Sequence, residues 1–290
     1  MTGTVLENPI KNKFKKNLEE VPAEPMSPAE ASREILHETV KSPYSTQMVN
    51  LPSKGLMYSP DNPLSSGVVE IKYMTTTEED ILTTTSYIKN EVVIDKLLQS
   101  LLVTKINYDD LLLGDKNAIM VAARIYGYGK DYPIKVTTPS GNEQDVIVDL
   151  ETLQNKPFDE SAVNLGENRF EFILPIDRNT VEFQLITVGL NRKIDNQLKK
   201  NRIAVSKGGR DTQLTTRLGY MITSVDGNND PDFIRLFVKS IKALDSRALR
   251  NYISAVQPDI DLSVDVIDEE TGEPFRADVR IDAQFFWPNG

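Results

Sequence analysis

Leu51-Pro52-Ser53-Lys54-Gly55 opens the stretch that decides the fold, which runs on to Tyr126-Gly127-Tyr128-Gly129. Within it, the alternating run Val68-Val69-Glu70-Ile71-Lys72-Tyr73 predicts a β-strand. Residues 75–77 are threonines, and each precedes an acidic residue by three positions, so we expect a helix to begin there. A strand that leads into helices predicts an α+β fold.

Two further helices and a hairpin are expected in the same part of the chain. Apolar residues at three- and four-residue spacing predict a helix over residues 92–102. Asp115 is expected to cap a second helix, which Gly127 and Gly129 would end. A β-hairpin should follow, with its turn at Pro139-Ser140-Gly141-Asn142.

The second half of the chain repeats this order of predicted elements. Strands are expected at 170–174 and 181–187, and a final hairpin near 262–267 and 277–281. Helices are predicted at 190–204, 212–224, 232–243 and 247–255. We therefore interpret the chain as two related halves, each a strand followed by helices and a β-hairpin. Alternatively, short α+β units resemble one another without a common origin.

Three segments follow from these patterns. Residues 1–46 mix lysines with prolines and lack apolar periodicity, which predicts a flexible N-terminal arm. Residues 47–160 form the predicted N-terminal α+β domain. Residues 161–290 form the predicted C-terminal α+β domain, which ends in a β-hairpin and Phe-Phe-Trp-Pro.

The amino-acid composition limits the cellular compartment of the protein and the kinds of covalent link and metal site that it can form. The 290 residues contain no cysteine, so disulfides and thiolate metal sites are excluded. No apolar run approaches the roughly 20 residues of a membrane helix, and the first residues lack the features of a signal peptide. We expect a soluble, unsecreted protein that is made in a cytoplasm.

No catalytic or metal-binding motif is evident. The single histidine, His37, lies in the predicted arm, without the fixed orientation that a general base or a ligand needs. We expect no catalytic residues, no metal and no cofactor; the alternative is an enzyme that uses carboxylates alone. Glycines and charges alternate near residue 208 without the spacing of a nucleotide-binding loop. We interpret this segment as a partner-contact loop formed by Lys207, Gly208, Gly209 and Arg210.

Charge is unevenly distributed along the chain, whose net charge is −10. Residues 189–250 contain 13 Lys or Arg and 6 Asp, whereas residues 258–290 contain 9 acidic residues and two arginines. Such asymmetry suits complementary patches on partners or on copies of this chain, although solvated helix faces would look the same. A nucleic-acid-contacting role is an alternative that the acidic pI of about 4.8 disfavours.

The order of these motifs resembles that of a known family. The opening at residues 51–55, the strand, the Thr/Glu-rich helix start and the Tyr-Gly end recur in the baseplate and baseplate hub proteins of T-even-type contractile-tailed bacteriophages. In that family the first hairpin often carries a Cys-Pro-x-Cys-Gly-like knuckle, and a similar pair can occur in the last hairpin. Here Thr138-Pro139-Ser140-Gly141 stands in its place, so zinc is not implied. Turn geometry and packing are expected to hold the hairpins instead.

The resemblance implies a non-enzymatic virion protein of the tail baseplate or its hub, or an assembly chaperone absent from the finished particle. Its partners would be other tail proteins and copies of itself, without membrane. Phe285, Phe286 and Trp287 form the aromatic end that the family pattern leads us to expect. They are interpreted either as a clasp on the chain's own core or as an anchor in a neighbouring protein.

Overall fold

The computed structural model describes residues 45–205, 212–281 and 283–286. The predicted N-terminal arm lies outside these residues except for its last two positions. The described chain is a mixture of helices and small antiparallel sheets, and the predicted α+β class is confirmed.

The first part of the fold begins with an antiparallel strand pair. Strand β1 (Thr46–Asn50) pairs with β2 (Val68–Lys72), and Val49 lies opposite Val69. Four helices follow: α1 (Thr76–Thr83), α2 (Thr85–Lys89), α3 (Val93–Leu101) and α4 (Leu113–Tyr128). A hairpin of β3 (Asp131–Thr137) and β4 (Glu143–Asp149) comes next, as predicted.

The second part begins in the same way. Strand β6 (Phe170–Ile173) pairs with β7 (Thr180–Phe183), and β8 (Ile222–Val225) joins them in a three-stranded sheet. The helices of this part are α5 (Val188–Val205), α6 (Gln213–Met221), α7 (Pro231–Ser240) and α8 (Ala243–Val256). The last hairpin pairs β10 (Ser263–Ile267) with β11 (Pro274–Asp278). A short pair, β5 (Asn155–Lys156) with β9 (Asp259–Ile260), links the two parts.

Two local predictions need correction. Residues 222–224 were expected to end a helix, but residues 222–225 form β8, because Ile222 and Val225 bury their side chains in the sheet beside β7. Asp115 was expected to cap α4, but the helix begins at Leu113 and the Asp115 side chain bonds a distant loop instead. The order of a strand pair, helices and a hairpin does occur twice. A common origin of the two parts stays a hypothesis.

One hydrophobic core contains residues from both sides of the predicted boundary at 160/161. Leu97 and Ile119 from the first part share it with Phe183 and Leu249 from the second. Helix α4 contacts β9 so closely that a Cβ added at Gly114 would lie 2.0 Å from the Pro258 carbonyl oxygen. The division into two domains therefore remains a prediction about chain organisation.

Candidate assembly surfaces

The loop between β1 and β2 is fastened to the start of α4 by one buried carboxylate. Asp115 accepts hydrogen bonds from the Ser53 backbone N–H at 2.9 Å, the Ser53 hydroxyl at 2.7 Å and the Tyr58 hydroxyl at 2.5 Å. Burial raises the pKa of the Asp115 carboxyl, while the bonds from Tyr58 and Ser53 oppose that rise. The carboxylate thus gives the loop a fixed position against the helix.

A second buried carboxylate fastens the loop between β6 and β7 to the start of α8. Asp245, in the first turn of α8, accepts hydrogen bonds from the backbone N–H groups of Ile176 at 2.7 Å and Asp177 at 3.1 Å. Both loops begin with a buried leucine followed by proline, at Leu51 and Leu174. The residue after each Leu-Pro pair donates its N–H to the aspartate.

The tips of the two hairpins contact each other at the place where the family resemblance puts the knuckles. Asn142 donates to Glu270 at 2.5 Å, and Gln144 donates to the Ile267 carbonyl at 3.0 Å. Between the hairpins lies a small separate core that contains Val136, Val266 and Ala277. Side-chain hydrogen bonds and apolar packing hold these tips together.

Phe285 and Phe286, the described residues of the aromatic end, pack on the chain's own core. Phe285 and Phe286 are both 0% exposed, and the Phe285 ring meets Tyr132 edge to face at 4.9 Å between centroids. Arg124, which is 2% exposed, donates from Nε to the Phe285 carbonyl at 3.1 Å. Its guanidinium also lies 5.6 Å from the centroid of the Tyr132 ring. Trp287 lies outside the described residues.

The predicted contact loop, Lys207, Gly208, Gly209 and Arg210, also lies outside the described residues, between α5 and α6. A groove with a volume of about 940 Å³ runs between α5, α6 and α7, and we call it the α5–α7 groove. Among the described residues that line it, the basic ones are Lys193, Arg235 and Lys239, and none is acidic. The roles of the loop and of the aromatic end in partner contacts remain predictions.

Metal-ligand clusters and membrane-spanning helices were both sought in the described part of the chain. Across residues 45–205, 212–281 and 283–286, no three His, Cys, Asp or Glu side chains group closely enough to hold a metal ion. None of the helices in those ranges is long and apolar enough to cross a membrane.

Sequence reasoning missed Asp245, Arg124 and the α5–α7 groove. A repeated Leu-Pro pair, each followed some 60 to 70 residues later by an aspartate near a helix start, would have indicated the two anchors. Arg124 has no such signal, because an arginine within a helix is usually a solvent-exposed residue. The groove depends on the packing of three helices, which no local pattern encodes.

The described part of the chain thus combines an α+β fold, two anchored loops, joined hairpin tips and a groove lined by three basic residues. A family model described as T4 bacteriophage base plate protein matches residues 46–287, and the chain belongs to that family. Searches of curated proteins and of solved structures found no match to the chain.

Proposed function

We propose that the protein is a non-enzymatic structural component of the baseplate, or of its central hub, in a contractile phage tail. It acts through protein–protein contacts during virion assembly, with other tail proteins and copies of itself as partners. The observation that carries this proposal is the family match, which spans residues 46–287 and includes nearly all of the described core. The protein is made in the host bacterial cytoplasm and is then incorporated into the virion tail.

The internal bonding of the fold supports a scaffold role. Asp115 and Asp245 each bond a loop to a helix, and Arg124 bonds the carbonyl of Phe285. A partner therefore meets surfaces whose geometry is set before binding, which lowers the entropy cost of association.

Purified virions and a deletion strain test the proposal. Quantitative mass spectrometry of mature particles should find the protein at a constant ratio to the major capsid protein, which serves as the internal standard. The deletion strain should make heads but no complete baseplates, and expression of the protein from a plasmid should restore them.

Other outcomes distinguish the alternatives. A protein that is essential for baseplates but absent from mature particles is an assembly chaperone. Binding of the purified protein to DNA, with an affinity that falls steeply with salt concentration, would favour a nucleic-acid-contacting virion protein. Normal baseplates in the deletion strain would contradict both the role as a baseplate component and the role as an assembly chaperone.

A further inference from the structure

The α5–α7 groove carries positive charge that the chain itself does not neutralise. Lys193 on α5 and Lys239 on α7 form no ion pair with any residue in the described part of the chain, and Arg235 pairs only with Asp232 one helical turn away. On the same helix Arg192 pairs with Asp109 at 2.7 Å and Lys199 with Glu91 at 2.6 Å, whereas Lys200 and Arg202, outside the groove lining, also form no ion pair with the described residues. Positive charge is therefore left open on the groove side of α5.

A glycine in the groove wall has no role in the packing of the described chain. Gly219 lies inside α6, where glycine is less favourable than alanine because of its conformational freedom. A Cβ added at this position would have no neighbouring atom within 4 Å. The absence of a side chain at Gly219 keeps space open in the groove.

The rest of the lining combines apolar and hydrogen-bonding surface. Ile222 and Ile234 are buried and line the groove between the helices. Gln197 donates to Asn201 at 2.9 Å, and Asn201 donates to Thr212 at 2.9 Å, so amides and hydroxyls follow one wall. A peptide presents carboxylates, apolar side chains and backbone polar groups, which match these three kinds of surface. A nucleic-acid strand fits less well, because Tyr220 is the single aromatic residue among the described residues of the lining.

We propose that the α5–α7 groove binds an extended, acidic peptide segment of another tail protein, whose carboxylates pair with Lys193, Arg235 and Lys239. The identity of the partner as a tail protein rests on the function proposed above. Electrostatic complementarity would steer this encounter and set its register.

Direct binding can be measured with the full-length protein and defined probes. Fluorescence anisotropy would follow a labelled peptide of alternating Glu and Leu, its Gln-for-Glu counterpart, and an oligothymidine of equal charge. We expect the Glu peptide to bind, more weakly at high salt, and the Gln peptide to lose most of the affinity. Lys193→Glu combined with Lys239→Glu should weaken binding about tenfold or more. Each single groove substitution is compared with Lys96→Glu, which makes the same charge change at an exposed lysine of α3 outside the groove.

Substitutions at Gly219 separate binding from folding. Gly219→Ala should raise the midpoint of thermal unfolding, and Gly219→Gln should weaken binding of the Glu peptide by occupying the groove without unfolding the protein. The proposal is overturned if Lys96→Glu weakens binding as much as the groove variants do, or if the oligothymidine binds more tightly than the Glu peptide.

Phage genetics then tests the partner. Phage that carry the two groove substitutions should assemble few baseplates, and suppressors should replace an acidic residue with a basic one in another tail protein. Suppressors confined to the acidic residues of this chain would identify a second copy as the occupant and overturn the assignment. If the deletion strain fails to assemble baseplates but the groove variant assembles them normally, the groove proposal fails while the structural function stands. Normal assembly in the deletion strain would reject the function itself.

Discussion

Asp115 and Asp245 occupy corresponding positions in the two parts of the fold: each is the third residue of the helix that precedes a hairpin. Each is fully buried, and each accepts the backbone N–H of the residue that follows a Leu-Pro pair, at Ser53 and at Ile176. The matching hydrogen bond supports the hypothesis of a duplicated unit, and it is evidence independent of the order of the elements.

Removing either aspartate should destabilise the protein strongly. Asp245→Ala removes the buried acceptor of the part-buried N–H groups of Ile176 and Asp177, and the loss of hydrogen bonds to a charged group should cost about 1.5–3 kcal/mol. Urea unfolding at neutral pH measures the loss. Asp145→Ala, at an exposed position of β4, is the control and should stay within about 0.5 kcal/mol of the wild type. Equal stability of the two variants would contradict the anchoring role.

Glu78 should make part of the stability dependent on pH. Burial alone would raise the pKa of Glu78, but hydrogen bonds from Lys72 and Thr75 outweigh it and hold the pKa below its ordinary value. Its stabilising contribution is therefore present above the unfolded pKa of about 4.3 and is lost as the pH falls through the lower folded pKa.

Glu78→Gln should accordingly reduce stability at neutral pH, and its difference from the wild type should shrink toward about pH 3. Thermal unfolding at a series of pH values measures this difference. Asp80→Asn, an exposed acid in the same helix, should show no such convergence. A constant difference across the series would show that the charge of Glu78 contributes nothing.

The buried guanidinium of Arg124 should hold the aromatic end in place. Arg124→Met keeps an apolar stem but removes the donors to the carbonyl oxygens of Phe285 and Gly129, which we expect to cost about 1–3 kcal/mol. Near-ultraviolet circular dichroism and hydrogen exchange of residues 283–286 would report the loss. Arg280→Met, at an exposed position, is the control. If hydrogen exchange is unchanged in Arg124→Met, the packing of Phe285 and Phe286 in the core is sufficient to hold residues 283–286 in place.

Two glycines inside helices should respond to alanine in opposite ways. Gly114→Ala places a Cβ against the Pro258 backbone and should destabilise the protein by about 1–3 kcal/mol or more. Gly219→Ala meets open space and should stabilise α6 by roughly 0.5–1 kcal/mol. Chemical denaturation of both variants under identical conditions makes the comparison. If both alanine variants are more stable than the wild type, α4 and β9 can move apart without a loss of folding free energy.

Local patterns were sufficient for most of the elements. The alternation at residues 68–73 predicted β2, and the helix predicted from residue 232 begins one residue earlier as α7, where Asp230 accepts from the N–H groups of Asp232 and Phe233. These features depend on side chains and backbone within a few residues of one another. For the same reason the Thr75 helix start was predictable.

Long-range contacts were not predictable in this way. Residues 222–224 were predicted as the end of the helix that starts at residue 212, but pairing with β7 makes residues 222–225 a strand. Asp115 resembles a helix cap in sequence, but its partners Ser53 and Tyr58 are more than fifty residues away. The α5–α7 groove exists because three helices leave space between them, and the positions of those helices depend on the whole core.

The paired hairpin tips have a mechanical consequence. Each hairpin follows a helix whose first turn is bonded to the loop of a strand pair, and the tips are joined by Asn142 and Glu270. Hydrogen bonds and short chain segments thus connect the first strand pair, through α4 and both hairpins, to α8 and the second strand pair. A force that a neighbouring protein applies at one hairpin tip would therefore reach both helices, through both hairpins. Separating one hairpin from the core would require breaking its contacts with the other hairpin as well.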